Sequence, residues 1–344
     1  MSDRLMTRPW RGRGGAGAGV LVVVAVALLA LVGALVWVVG SPPAEAVGGT
    51  GASAGVDEAA SVEASLAAAR SYVEQEAFGK AEAVLVSAVG QFPEDVPLRL
   101  SLAEVLLLNG ERSAEAYAQY EAALAIEPNS APVQFQAGTL ASTIGRDDRA
   151  LEHYSMARSM DTEQASYALF LAAVQLRMGD VGAAKVNFLH ALHLDESDAT
   201  AAAALAQIAL DENDRDLALS YARRARAIEP GVAAYVVLEA RAHRRLADPE
   251  AALGLLLALP DESLFQSGVL TLAAECLGLQ GKPGDAAALW AEAADADRGD
   301  AEKALQAGLW FERAGDRERA AAYASRAGML GSEGAAALLG RIGG

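Results

Sequence analysis

Small and apolar residues return along this chain at helical spacing, and from residue 131 onward the pattern repeats every 34 residues without slippage. One column of alanines reads Ala116, Ala150, Ala184, Ala218, Ala252, Ala286 and Ala320. Seven residues later a second reads Ala123, Ala157, Ala191, Ala225, Leu259, Ala293 and Ala327, and twelve before the first a third reads Gly138, Ala172, Ala206, Ala240, Ala274 and Gly308. Two helices approach closely only where side chains are small. The columns therefore predict a helix, a turn and a second helix in each unit, with Gly138 facing a site such as Ala157. Each unit hides its apolar stripe only by stacking on its neighbours, which predicts an array held by local contacts.

Two further columns sharpen the picture. Four residues after the first alanine stands a large ring, at Tyr120, Tyr154, Phe188 and Trp290, with Tyr221 and Tyr323 displaced by one. Five before that alanine stand turn residues, Gly145, Gly179, Asn213, Gly281 and Gly315, and Pro93, Pro128 and Pro230 close repeats. A 34-residue unit of this design resembles the tetratricopeptide repeat (TPR). The resemblance covers residues 61–334, although the family's opening Trp is absent and Thr162 and Glu196 stand where its closing Pro is expected. It implies an all-α, right-handed superhelical solenoid of about eight helix-turn-helix repeats.

The chain before the array has another character. Residues 20–39 run without a charge, which at helical rise is about 30 Å, the thickness of a bilayer's hydrocarbon core. Trp10 and Trp37 lie near its ends. One transmembrane signal-anchor helix is expected over 16–40, after a basic cytoplasmic tail over 1–15 and before a Pro, Gly, Ala and Ser linker over 41–60. Arg4, Arg8, Arg11 and Arg13 precede the span and no basic residue falls in the twenty after it, so the positive-inside rule puts the array on the extracytoplasmic side. Cleavage after Ala46 is the competing reading. Residues 335–344, with Leu338, Leu339 and Ile342, are expected to cap the array or to self-associate.

Charge and composition narrow the partners. Net charge is −17, and beyond residue 40 stand 24 basic against 44 acidic residues, a balance of −20. Such a body repels phosphates, so nucleic acid is not an expected partner. The lone Cys276 permits no intramolecular disulfide and falls inside a first helix, where a buried thiol is expected. The fingerprint-like glycines of 12–17 and 51–55 lack the strand context that nucleotide binding or a nucleophile elbow requires.

No catalytic constellation emerges. His190 and His193 share a helix face near Asp195 but want a third close ligand, so neither metal nor cofactor is expected, and His153 and His243 read with them as solvated surface residues. Asp211, Glu212 and Asp214 read as turn residues or caps. The resemblance implies that each first helix lines a peptide-binding groove. Counting along those helices gives Phe135, then Leu169 and Leu176, then Gln207 and Leu210, then Val237, Arg241 and Arg244, then Gly268, Thr271, Glu275 and Gly278. None is a Lys or Asn, whereas chaperone-binding members of the family hold a terminal carboxylate with those residues. Six arginines crowd into 23 residues, Arg223, Arg224, Arg226, Arg241, Arg244 and Arg245. Their forked guanidinium groups suit carboxylates, and the last three are expected to meet an acidic segment of a partner unless neighbouring acidic turns occupy them.

The expected function is a single-pass scaffold or adaptor of the plasma membrane, presenting its array on the periplasmic or extracytoplasmic side to peptide segments of partner proteins. Only four of the 28 basic residues are lysine, a usage that suggests a GC-rich bacterial genome. The layout resembles that of bacterial anchored repeat proteins that assist envelope assembly. The alternatives are an enzyme or metal-dependent factor built on the repeats and a self-assembling structural protein.

Overall fold

The computed structural model describes residues 54–110 and 112–343. The expected basic tail, the expected membrane span and the part of the expected linker before residue 54 lie outside the described residues, and among the described residues no helix is long and apolar enough to cross a membrane. The described chain is helical throughout, with two compact units dividing after Ala201.

In the first unit, eight helices form four pairs: α1 (Ala54–Glu74) with α2 (Phe78–Gln91), α3 (Val96–Leu108) with α4 (Ser113–Ile126), α5 (Ala131–Thr143) with α6 (Asp147–Met160), and α7 (Ala165–Arg177) with α8 (Val181–Leu194). Helix α1 begins inside the 41–60 stretch expected to be a linker. Its Ala-rich sequence has no Pro between Val56 and Glu74 to interrupt the helix.

The second unit continues from α9 (Ala199–Asp211), within which the division falls. It holds α10 (Arg215–Ile228), α11 (Ala233–Arg245), α12 (Pro249–Leu257), α13 (Asp261–Leu264), α14 (Ser267–Leu279), α15 (Pro283–Ala296), α16 (Ala301–Arg313), α17 (Arg317–Met329) and α18 (Gly334–Gly343). The pairing breaks at α12, whose nine residues stop before Leu259. Pro260 keeps its predecessor out of helical backbone, and the four residues of α13 bridge to the next pair. Leu259 stands in the alanine column and is buried there nonetheless.

Every alanine of the first column, and Ala81 in the same place one unit earlier, has no exposed surface, and Ala157, Ala191, Ala225, Ala293 and Ala327 of the second have none either. Tyr154 and Phe188 are 1% exposed. Where the ring slips by one residue, Ala222 and Ala324 fill the buried site instead, and Tyr221 and Tyr323 are only half-buried. The facing of Gly138 differs from the expectation. A Cβ there would lie 2.8 Å from the ring of Tyr154 and 3.2 Å from Cβ of His153, so the glycine makes room for the aromatic column rather than for Ala157.

The turn column has one conformation. Gly145, Gly179, Asn213, Gly281 and Gly315 all have left-handed φ, and so do Glu76 and Ala247, which hold the same position in the first and sixth units. Aspartates cap the helices that follow: Asp95, Asp180, Asp214, Asp248, Asp300 and Asp316 each accept a backbone N–H three residues on, at 2.8 to 3.2 Å. Where the closing Pro is missing, an aspartate makes the turn. Asp161 accepts from the Glu163 N–H at 3.0 Å, and Asp195 accepts from the Ser197 N–H at 2.9 Å and its hydroxyl at 2.6 Å.

At the C-terminus the last ten helical residues form a full helix, α18, that packs on α16 and α17. Leu338 is fully buried and Ala335 nearly so, while Met329 is 82% exposed beside it.

Candidate functional site

Helices α9, α11 and α14 are the first helices of three successive repeats, and together they line a cavity of about 270 Å³. Its wall is made by Gln207, Leu210 and Asp211 from α9, Arg241, Arg244 and Arg245 from α11, and Gly268, Thr271, Leu272 and Glu275 from α14. Residues three and four apart share a helix face, which is why α11 delivers all three arginines to one place. Asp211 was read as a turn residue and Leu272 was not singled out; Asp211 ends α9 one turn after Gln207, whose amide donates to it at 2.9 Å.

The run of six arginines divides by function. Arg223 and Arg226 of α10 converge on Glu239 of α11, a carboxylate only 2% exposed, with Arg223 Nε at 3.4 Å and Arg226 Nε in closer contact. Glu239 is neutralised where it stands, and these two cations are committed to packing. Arg244 pairs with Glu275 across the cavity at 3.1 Å, while its Nε is buried with no hydrogen-bond partner. Arg241 and Arg245 are exposed and have no acidic partner among the described residues. The alternative of pairing with neighbouring acids therefore holds for Arg223, Arg226 and Arg244 and not for Arg241 and Arg245.

The remaining predicted groove residues are placed differently. Phe135 lies among Tyr154, Tyr167 and Phe170, with ring centroids 5.0 to 5.5 Å away, so much of its surface belongs to packing between repeats. Leu169 and Leu176 of α7 are half-buried, and Val237 packs partly against the core of the second unit. Gly278 offers no open space, because a Cβ there would come 2.3 Å from the indole of Trp310. The lining around the cavity is mostly polar and charged.

A second cavity, of about 380 Å³, lies in the first unit against α4, α5 and α6 and was not anticipated. At its wall His153 is 6% exposed, with Nδ1 2.7 Å from the Gln134 amide oxygen and Nε2 3.2 Å from the Tyr117 hydroxyl and 3.1 Å from Glu121. Burial lowers its pKa, outweighing the pull of the Glu121 carboxylate. His243 is 8% exposed and lies 3.3 Å from both Arg223 and Asp248. Both histidines thus depart from the surface reading, because the ring adds packing volume where a partner is at hand for each nitrogen. His190 is half-buried and His193 exposed, and among the described residues no group of acids, histidines and cysteine is placed to hold a metal. Cys276 is fully buried in α14, where burial pushes its thiol pKa up to about 11.

No family model and no curated protein matches the chain. Solved structures do. A tetratricopeptide repeat protein from Parabacteroides merdae is 15% identical with a TM-score of 0.54, over 72% of this chain and 99% of that one. The C-terminal part of a TPR repeat-containing protein from Cytophaga hutchinsonii is 14% identical with a TM-score of 0.56, over 69% of this chain and 98% of that one. At such identities the likeness establishes the fold, which is that of tetratricopeptide repeats.

Proposed function

We propose that this chain is a membrane-anchored adaptor, held in the plasma membrane by residues 20–39, whose first-helix face receives a segment of a partner protein on the extracytoplasmic side during assembly of envelope complexes. The observation that carries the recognition half is the cavity between α9, α11 and α14. Seven of its ten lining residues are groove positions by the repeat register, and two of its cations have no acidic partner among the described residues. Anchoring is supported by the uncharged run and the four arginines before it.

Proximity labelling from the array of the full chain in its native host tests the adaptor half. Extracytoplasmic proteins are expected among the labelled set, and their labelling is expected to fall in an Arg241→Ala/Arg245→Ala variant. Recovery of cytoplasmic proteins alone overturns the orientation, and recovery of the chain alone moves the function to self-assembly. For topology, Met329→Cys supplies an exposed thiol while the native Cys276 stays buried. A membrane-impermeant maleimide is expected to label the variant in intact cells after removal of any outer barrier, and labelling only after lysis reverses the topology.

A further inference from the structure

Resting on the reading that this face holds a partner segment, we propose that the cavity between α9, α11 and α14 takes one carboxylate, the side chain of a glutamate or aspartate in the partner polypeptide, between Arg241 and Arg245. Three observations carry this. First, the chain holds 45 acidic and 28 basic residues, yet two arginines one helical turn apart on one wall of a cavity have no acid of their own among the described residues, whereas Arg244 on that wall and Arg223 and Arg226 of α10 each have one. Exposed cations in an acid-rich surface are ordinarily taken up by their neighbours. Of the acids lining the cavity, Glu275 is paired with Arg244, and Asp211 keeps its charge but accepts from the Gln207 amide rather than from either arginine.

Second, the charges of the lining choose the ligand's charge. Arg241, Arg244 and Arg245 face Asp211 and Glu275, which leaves a surplus of one positive charge. A monoanion balances that surplus; a phosphate dianion exceeds it and approaches two fixed carboxylates. Third, the site already contains the interaction it offers. Glu275 lies 3.1 Å from Arg244, and Arg241 and Arg245 bring guanidinium groups of the same kind, suited to a carboxylate, to the same wall.

The test uses the full chain in detergent and reads the Nε–H resonances of its arginines by NMR during titration with N-acetyl-glutamate N-methylamide. Saturable shifts of Arg241 and Arg245 are expected. The matched glutamine compound is expected to bind at least tenfold more weakly, since it loses charge-assisted hydrogen bonds, and inorganic phosphate more weakly than the glutamate compound. Glu275→Gln is expected to tighten binding several-fold by freeing Arg244 and removing a negative charge. Because Arg241 and Arg245 are exposed, Arg241→Ala and Arg245→Ala should fold as the parent does, each weakening the titration at the arginine that is left. The proposal is overturned by no saturable shift at either arginine, by equal affinity for the glutamine compound, or by tighter binding of phosphate. Loss of partner labelling in the double variant without any glutamate binding leaves the adaptor function standing and sinks the carboxylate; glutamate binding without loss of labelling does the reverse.

Discussion

The same substitution, glycine to alanine inside a helix, is expected to have opposite signs at Gly308 and Gly254. Alanine gains about 0.8–1.0 kcal/mol over glycine wherever the helix is otherwise indifferent. At Gly254 in α12 an added Cβ meets nothing within 4 Å, so Gly254→Ala should stabilise by that amount. At Gly308 in α16 it would lie 2.9 Å from Leu338 Cδ2, 3.2 Å from the Ala320 carbonyl oxygen and 3.2 Å from the Ala324 nitrogen. Two of those atoms are the backbone of α17 and cannot turn aside, so the helices must separate, at a cost of about 1–3 kcal/mol for overpacking. The net effect of Gly308→Ala is destabilisation by roughly 0–2 kcal/mol. Stability in a repeat array is local, so amide hydrogen exchange of α16, α17 and α18 is the assay that reads it, with chemical unfolding of the full chain beside it. Leu338→Ala provides the control. It costs about 2–5 kcal/mol itself and removes the side-chain clash while leaving the backbone contacts, so Gly308→Ala should still loosen α16 from α17 in that background. A Gly308→Ala variant as stable as Gly254→Ala, or one rescued fully by Leu338→Ala, would refute the claim that backbone approach makes this column small.

Other outcomes follow from the same geometry. Ala247 has a φ of 59° where four other units have glycine at 72° to 86°, so Ala247→Gly should leave stability unchanged or raise it by up to about 1 kcal/mol, while Gly145→Ala should lower it by about that much or more; thermal unfolding compares them. For His153 the folded pKa is lowered by burial, so below pH about 6.5 the unfolded chain takes up the proton first. The native state therefore loses stability as pH falls from there through the lowered folded value. Denaturant midpoints across that window should decline, and His153→Gln should flatten the decline even though it weakens the protein near pH 7. Cys276, buried and with its pKa at about 11, should resist a soluble disulfide reagent at neutral pH until denaturant opens α14, and prompt reaction of the folded chain would contradict its placement.

The repeat architecture was legible because it rests on one-residue geometry. A Cβ either fits between two helices or does not, and a left-handed turn either tolerates a side chain or is strained by it, so each constraint leaves a letter at a fixed spacing. The alanine and turn columns kept that meaning even where the letters changed, as at Ala247 and Leu259. What the columns could not carry is the identity of a large side chain's neighbour. Gly138 was matched to Ala157 by smallness alone, whereas the void is filled by Tyr154, whose hydroxyl is held by Thr139 at 3.2 Å. The short α12 was marked only by Pro260, a letter without a periodic signal.

Charge placement was less legible still, and the reason bears on function. A run of arginines in sequence says that cations are near one another, not which of them are consumed, because consumption depends on acids brought in from other helices. Glu239 sits 13 and 16 residues from its two arginines and Glu275 sits 31 from Arg244, separations that follow from the 34-residue stacking rather than from any local motif. The partition into committed and uncommitted cations is therefore a property of the stack. The columns that build the array are blind to Arg241 and Arg245, so those positions are free to change with the partner while the architecture holds. Exchanging both for glutamate should accordingly leave the helical content and unfolding midpoint close to the parent's, since both side chains are exposed. The carboxylate titration should vanish in that variant, and a collapse of the fold instead would show that the two cations are structural.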